Sequence, residues 1–303
     1  MPEGRTMRSS PVPRWFVHLL REWTVESWRP IAPAFAKPHP WKWSDSQVTL
    51  SWLGHATVLI NFLGVTILTD PVLFPRIGVR LMGFTVGPKR LTASALHVDE
   101  LPGIDLILLS HAHFDHLDLR TLRCFDENTT VITARATIDL LKRTRFCDVT
   151  ELHWGQDKTF KCAAGEVTVS AIAVKHWGAR KRRDDYRGYN GYLLQRNGRR
   201  IIFAGDTAMT DSFARLQRYG PIDLAIMSIG AYDPWIRSHS TPEQAIEMAN
   251  AAGARFIVPI HHQTFRLSSE PLREPIERFK AALHKTPERI AVREIGETFV
   301  LPL

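Results

Sequence analysis

The stretch IDLILLSHAHFDHLDL (104–119) joins an apolar run to a cluster of three histidines and two aspartates. Residues 104–110 are apolar on both faces, as a central strand covered on both sides must be. Ring nitrogens buried beside such a strand without partners cost on the order of 1–3 kcal/mol each, so something must satisfy them. His111 and His113 stand two apart just past the strand and point the same way if strand geometry persists. Asp115 and His116 follow the bend and face the same space from the other side. Imidazole and carboxylate together suit zinc and similar divalent ions, with manganese or iron also acceptable. Four such groups within six residues exceed what one tetrahedral ion with an open position needs, so we expect two ions.

Other apolar strands end in the same way. His176 follows VSAIAVK, Asp206 follows IIFAG, and His261 follows FIVPI. Ligands at strand ends sit on rigid elements, which a metal site requires. We expect His111, His113 and His176 at one ion, and Asp115, His116 and His261 at the other. Asp206 would be shared through its two oxygens. His97 and His153 are read as ordinary surface or hydrogen-bonded histidines.

Away from these tips the chain reads as a mixed α/β protein. QVTLSW, ATVLINF and VTILTD are separated by Gly54 and Gly64 and read as consecutive antiparallel strands. After residue 110 helices are expected near 119–125 and 137–143, and strands at 130–134 and 149–154. KTFKC and EVTVSAIAV resume a meander, and Asn197-Gly198 pins a hairpin between GYLLQR and RRIIFAGD. A short helix over 212–218 and the strand DLAIMSI follow. Thr241 caps a helix that has Pro242 in its first position and Gln244 closing a capping box, with Gly253 ending it. RFIVPI is a buried strand, PIERFKAALHK a helix, and ERIAV and TFVLPL the closing strands. Two sheet-like halves, each needing helices on its outer face, complete the expected architecture.

The 303 residues carry a formal net charge of +8, which favours anionic partners. Residues 1–43 hold seven Lys and Arg against three Glu, or about half of that excess. Within them RWFVHLLREWTVESWRP places Trp15, Phe16, Leu19, Leu20, Trp23 and Trp28 at roughly helical spacing among charges. Such a helix docks on its own domain or lies at a membrane interface. Pro30, Pro33, Pro38 and Pro40 then make an extended arm. We therefore divide the chain into a basic helix and arm, 1–43, and a catalytic domain, 44–303. No apolar run approaches the roughly 18 residues of a membrane-spanning helix. Three cysteines without CxxC spacing suggest neither a disulfide frame nor a thiolate site. With no apolar leader or small-residue cleavage site, the expected location is the cytoplasm, peripheral to the inner membrane face if the first helix binds lipid.

A series of motifs carries a family resemblance. WLGHATVLI, ILTDPVL, GPKRL, ELPGIDLILLSHAHFDHLD, KHWGAR, FAGDTA, IGAYDPW, HSTPEQA and PIHHQTFRLS occur in that order. They resemble the metallo-β-lactamase superfamily. Within it they are similar to the branch of N-acylphosphatidylethanolamine-hydrolysing phospholipase D and, more distantly, to the L-ascorbate-6-phosphate lactonase group. The resemblance runs from about Ser51 to the C-terminus. It implies an α/β, four-layered αβ/βα sandwich of two mixed sheets with outer helices and a two-metal site at one edge. It also implies metal ligation by His111, His113, Asp115, His116, His176, Asp206 and His261, the seven residues the strand tips select. The family histidine before the Pro-Glu helix matches His239, which the resemblance places near the substrate phosphate. Where family members commonly carry Trp-Gly after the last ligand, this chain has His262-Gln263.

The expected chemistry is hydrolysis by a hydroxide held between the two ions, because such ions lower the pKa of water to about 7. Asp115 would orient the nucleophile and His239 would protonate the leaving group. Lys89, Arg180 and Arg237 are the expected phosphate clamps, since cationic side chains grip phosphate and guanidinium does so bidentately. The substrate we expect is an N-acylphosphatidylethanolamine-like or other glycerophospho-diester. A lactone or ester of a phosphorylated small molecule is the alternative. A non-enzymatic lipid- or metal-binding protein should have lost ligands, and none of the seven is missing. Nucleic acid is not an expected partner, because no accessory binding module accompanies the basic charge. Homo-oligomerisation stays open.

Overall fold

The computed structural model describes residues 26–81, 83–181 and 183–302. Most of the expected N-terminal helix lies outside them. The arm that follows is extended and tied to the domain: Ala32 donates its amide to Leu91 O and Ala36 to Ile295 O.

Two mixed sheets face each other. The first contains β1 (Val48–Gly54), β2 (Thr57–Phe62), β3 (Val65–Thr69), β6 (Leu106–Leu109), β7 (Thr130–Ala134), β8 (Val149–Leu152) and β15 (Thr298–Val300), in the order β15-β1-β2-β3-β6-β7-β8. Its β1–β3 part is an antiparallel meander, and β3, β6, β7 and β8 run parallel. The second contains β9 (Asp157–Cys162), β10 (Gly165–Ile172), β11 (Gly191–Arg196), β12 (Arg199–Phe203), β13 (Ile222–Ser228) and β14 (Ala254–Ile260), in the order β14-β13-β12-β11-β10-β9. Again one part is antiparallel, β9 to β12, and one parallel, β12 to β14. Between these sheets in the chain, β4 (Val79–Leu81) and β5 (Phe84–Val86) form a separate hairpin.

Strand alternation builds two cores. Leu194, Ile201, Phe203, Leu224, Ile226 and Val258 face inward and pack with Leu50, Val58, Ile60, Ile107 and Ile132 of the first sheet. Their neighbours Leu193, Ile202, Ala225, Met227 and Ile257 face outward and are covered by helices. Those helices are α3 (Pro242–Ala251), α4 (Glu274–Ala282) and a 3₁₀ helix over Asp211–Tyr219. The cover on the first sheet is thinner, with two single turns, α1 (Leu119–Leu122) and α2 (Ile138–Leu141). Thr241 caps α3 as the sequence implies: its Oγ1 accepts from the Gln244 amide and Gln244 Oε1 from its own.

One expected element changes form. The short helix expected over 212–218 is present as a 3₁₀ helix over 211–219, whereas ERIAV is not a strand but a 3₁₀ turn, Pro287–Arg289, followed by one bridge from Ile290 to Ile257.

Direction decides where the chemistry falls. The parallel strands β3, β6, β12, β13 and β14 present their C-terminal ends at the same edge of their sheets. β1 and β10 each lie two antiparallel steps from one of them and so point the same way. Open α/β sheets bind ligands at the carboxyl ends of their strands.

Candidate metal centre

Every expected ligand sits at such an end. His111–His116 follow β6, His176 follows β10, Asp206 follows β12 and His261 follows β14. The turn after β6 is closed by His116 and Leu117 amides donating to His113 O. Arg180 braces it from outside, donating from Nη1 to Ala112 O at 2.9 Å and Leu117 O at 2.8 Å while lying 3.9 Å over the Phe114 ring. Gly205, at φ +60°, lets the chain before Asp206 pass Ser110, whose Cβ would stand 2.8 Å from an added Cβ.

The polar atoms converge in two groups. In one, His113 Nδ1 lies 2.8 Å from His111 Nε2 and 3.3 Å from His176 Nε2. Three nitrogens at these separations cannot all be joined by hydrogen bonds, because each ring nitrogen holds at most one proton. In the other, Asp115 Oδ2 lies 3.5 Å from His261 Nε2 and 3.6 Å from His116 Nε2. Asp206 stands between the groups, its Oδ2 3.1 Å from both His116 Nε2 and His261 Nε2 and 3.9 Å from His176 Nε2. His113 Nε2, His116 Nε2, both His261 ring nitrogens and Asp206 Oδ1 are buried with no hydrogen-bond partner. Buried orphans of this kind are costly, and a cation at the point of convergence is what would satisfy those that face it.

A further layer fixes the tautomers. Asp70, directly after β3 and fully buried, accepts from His116 Nδ1 at 2.6 Å, from the Ser110 amide at 2.7 Å and from Ser110 Oγ. With its proton given to Asp70, Ser110 Oγ accepts from His111 Nδ1 at 2.9 Å. His176 Nδ1 donates to Ser238 O at 2.9 Å. In His111 and His176 the single proton is drawn to Nδ1 and Nε2 presents a lone pair to the cluster, the arrangement metal-ligating histidines adopt. Asp70 likewise holds a proton on Nδ1 of His116, whose Nε2 would ligate once a cation takes the place of its second proton. His55, at the end of β1, donates from Nε2 to Asp115 Oδ2 at 2.9 Å. Its ring packs 4.0 Å from that of His261, and its carbonyl accepts from the His261 amide.

The electrostatics call for positive charge. Burial alone would raise Asp115 and Asp206, yet the positive charge on His116 holds both well below the ordinary carboxylate range. In return, and against burial, the two carboxylates raise His116 well above its usual value and His261 to about 9. Burial pushes His111 and His176 far down, and His113 to about 4. Three neutral imidazoles on one side and two carboxylates on the other form a donor set suited to divalent cations.

The other expected residues fall into three cases. His239 joins the cluster, its Nδ1 3.8 Å from Asp206 Oδ2 and its ring 5.0 Å from His176. Arg237 is exposed two residues away. Arg180 and Lys89 have other partners. Arg180 is spent on the ligand turn, and Lys89 Nζ donates to Ser27 O and Arg29 O of the arm. Of the tandem histidines, His261 turns into the cluster and His262 packs 4.5 Å from Trp52. Three contributors escaped the sequence reading. His55 and Asp70 obey the same strand-tip rule, and Trp177 packs 4.6 Å from His113 at the rim.

Fold and cluster together define a class, the metal-dependent hydrolases built on the β-lactamase sandwich. The chain belongs to that superfamily: the family described as beta-lactamase superfamily domain matches residues 66–262. It is 31% identical over 274 residues to an uncharacterized protein of Mycobacterium tuberculosis, covering 87% of this chain and 71% of the relative. It is 32% identical over 254 residues to N-acyl-phosphatidylethanolamine-hydrolyzing phospholipase D 1 of Caenorhabditis elegans, covering 78% and 70%. A solved possible metal-dependent hydrolase from Veillonella parvula shares the fold with a TM-score of 0.66 at 17% identity, over 84% of this chain and 99% of that one.

Proposed function

We propose that this protein is a phosphodiesterase of phospholipase D type that hydrolyses a glycerophospho-diester with two divalent ions, zinc foremost. The observation that carries the reading is the single Asp206 oxygen within 3.1 Å of His116 and His261 and 3.9 Å of His176, joining two groups of donors. The phospholipase D of C. elegans supports the choice of bond. When bound, ions in such a site make hydroxide available at neutral pH and neutralise charge on a phosphoryl oxygen.

The chain's own groups do the rest. His111, His113 and His176 form one donor set, Asp115, His116 and His261 the other, with Asp206 common to both. Asp115, held by His55, keeps one orientation. Burial pushes His239 down to about 4, so at neutral pH it is uncharged. Instead of protonating the leaving group as the sequence suggested, it steadies the leaving oxygen with a hydrogen bond from its one N–H while water supplies the proton. Arg237 is the exposed cation beside it and serves as the phosphate clamp, a role in which Arg180 and Lys89 drop out because their donors are engaged. Trp177 and Trp235, with rings 6.5 Å apart, give the entrance an apolar side.

The test is metal analysis of purified protein, followed by turnover of bis-p-nitrophenyl phosphate, lactones and phospholipids. Asp206→Ala should lose bound metal and at least about a hundredfold in turnover. Full turnover in that variant removes the shared-carboxylate role. Hydrolysis of lactones without any diester activity replaces the phosphodiesterase with a lactonase.

A further inference from the structure

The β4–β5 hairpin carries an apolar face that the domain leaves uncovered. Its register pairs Val79 with Val86, Arg80 with Thr85 and Leu81 with Phe84. Successive strand residues alternate sides, so Val79, Leu81, Phe84 and Val86 share one face and Arg80 and Thr85 the other. Val79, Leu81 and Phe84 are 56%, 61% and 67% exposed. Thr85 ties the polar face to the domain, its Oγ1 accepting from Arg120 Nη1 at 3.0 Å, while Arg80 on that face stays exposed. The hairpin therefore turns its apolar residues outward, and clustered apolar exposure of this kind marks interaction sites.

The hairpin projects from the edge where the ligands gather. The chain enters it from Asp70, the partner of His116, and leaves through Leu91, whose amide donates to Thr264 O at 2.7 Å, three residues past His261. Its root is basic. Glu26, bonded to Arg29, has its carboxyl lowered by Arg29 and further by Arg76 and Arg266. Arg80 is exposed on the hairpin itself, and Arg266 is exposed at the root.

We propose that this hairpin inserts its apolar face among the acyl chains at the surface of an anionic bilayer, with Arg80 and the root cations at the level of the lipid phosphates. Apolar residues above a basic root match the layering of acyl chains beneath charged headgroups. A second copy of the chain fits less well, because four side chains cannot supply the roughly 800 Å² per partner of a stable protein pair. Docked in this way, the ligand edge lies near the headgroups, where a lipid diester reaches it without leaving the bilayer. That consequence rests on the phosphodiesterase reading, whereas the docking itself does not.

The test uses the full chain with phosphatidylcholine vesicles, with and without phosphatidylglycerol. Co-sedimentation is expected with the anionic vesicles, weakening as salt screens the cations. Leu81→Ser/Phe84→Ser should bind at least about tenfold more weakly, with unchanged thermal unfolding and unchanged turnover of bis-p-nitrophenyl phosphate. Undiminished binding by that variant overturns the proposal. So does binding that survives it but is lost in Leu19→Ser/Trp23→Ser, which would assign the surface to the N-terminal stretch. A wild-type dimer that the hairpin variant dissociates overturns it as well. If no diester is turned over while vesicle binding still depends on Leu81 and Phe84, the phosphodiesterase reading fails and the docking surface stands.

Discussion

His55 touches the candidate metal centre at three points: a hydrogen bond to Asp115, a ring face against His261, and a carbonyl that receives the His261 amide. Groups that orient metal ligands typically contribute 10–100-fold to metal affinity. His55→Ala should therefore weaken retention of divalent metal by about that factor in a chelator competition, while His55→Asn, which keeps an N–H donor, should recover most of it. Wild-type affinity in the alanine variant would deny His55 this role. At this scale the sequence was readable wherever a ligand-type residue followed an apolar strand. His55 and Asp70 satisfy that rule as fully as His176 does, but single residues outside a dense motif give no sign of which neighbour they face. Arg180 and Lys89 show the converse. Their charge suited phosphate, and only the fold reveals that backbone carbonyls already occupy their donors.

At the level of elements, close backbone approach sets the position of β14's tip. A Cβ on Gly230, just past β13, would stand 2.2 Å from His261 O, so the backbone on one side must move. Gly230→Ala should cost about 1–3 kcal/mol of stability and reduce bound metal by displacing His261. A thermal melt and metal analysis measure both, and an unchanged melt with full metal would show that the loop absorbs the change. The strands were legible because period-two alternation and buried apolar runs leave few alternatives. The helix at 211–219 was legible but its 3₁₀ form was not, since Phe213 and Leu216 stand three apart, a spacing an α-helix and a 3₁₀-helix share. ERIAV has strand composition, but the turn opened by Pro287 delivers only Ile290 to β14. The β4–β5 hairpin escaped notice because its alternation points outward, against the rule by which strands are recognised.

Over the whole molecule, the charges of the site set the pH dependence of stability. In metal-free protein His261 is raised to about 9 from an ordinary 6.5. Its protonation stabilises the fold fully below about pH 6.5, and that contribution disappears as pH rises through about 9. His55, held near 3, and His113 and His239, held near 4, act in the opposite sense. They stay neutral in the fold while the unfolded chain takes up protons, so stability falls as pH drops from about 6.5 toward 4. The chelated protein should therefore show its highest Tm near pH 6.5 with a decline on both sides. Bound metal should raise Tm and flatten the alkaline limb. A Tm that stays level from pH 6.5 to 9 without metal would contradict this assignment.

The candidate ligands come from both sheets: His111, His113, Asp115 and His116 from the first, and His176, Asp206 and His261 from the second. An ion held among them is a rivet through the seam, and each sheet alone supplies an incomplete set. A chain severed at the turn around Gly155 would yield two inert fragments, with chemistry restored only on their reunion. Such an activity is inherited whole or not at all.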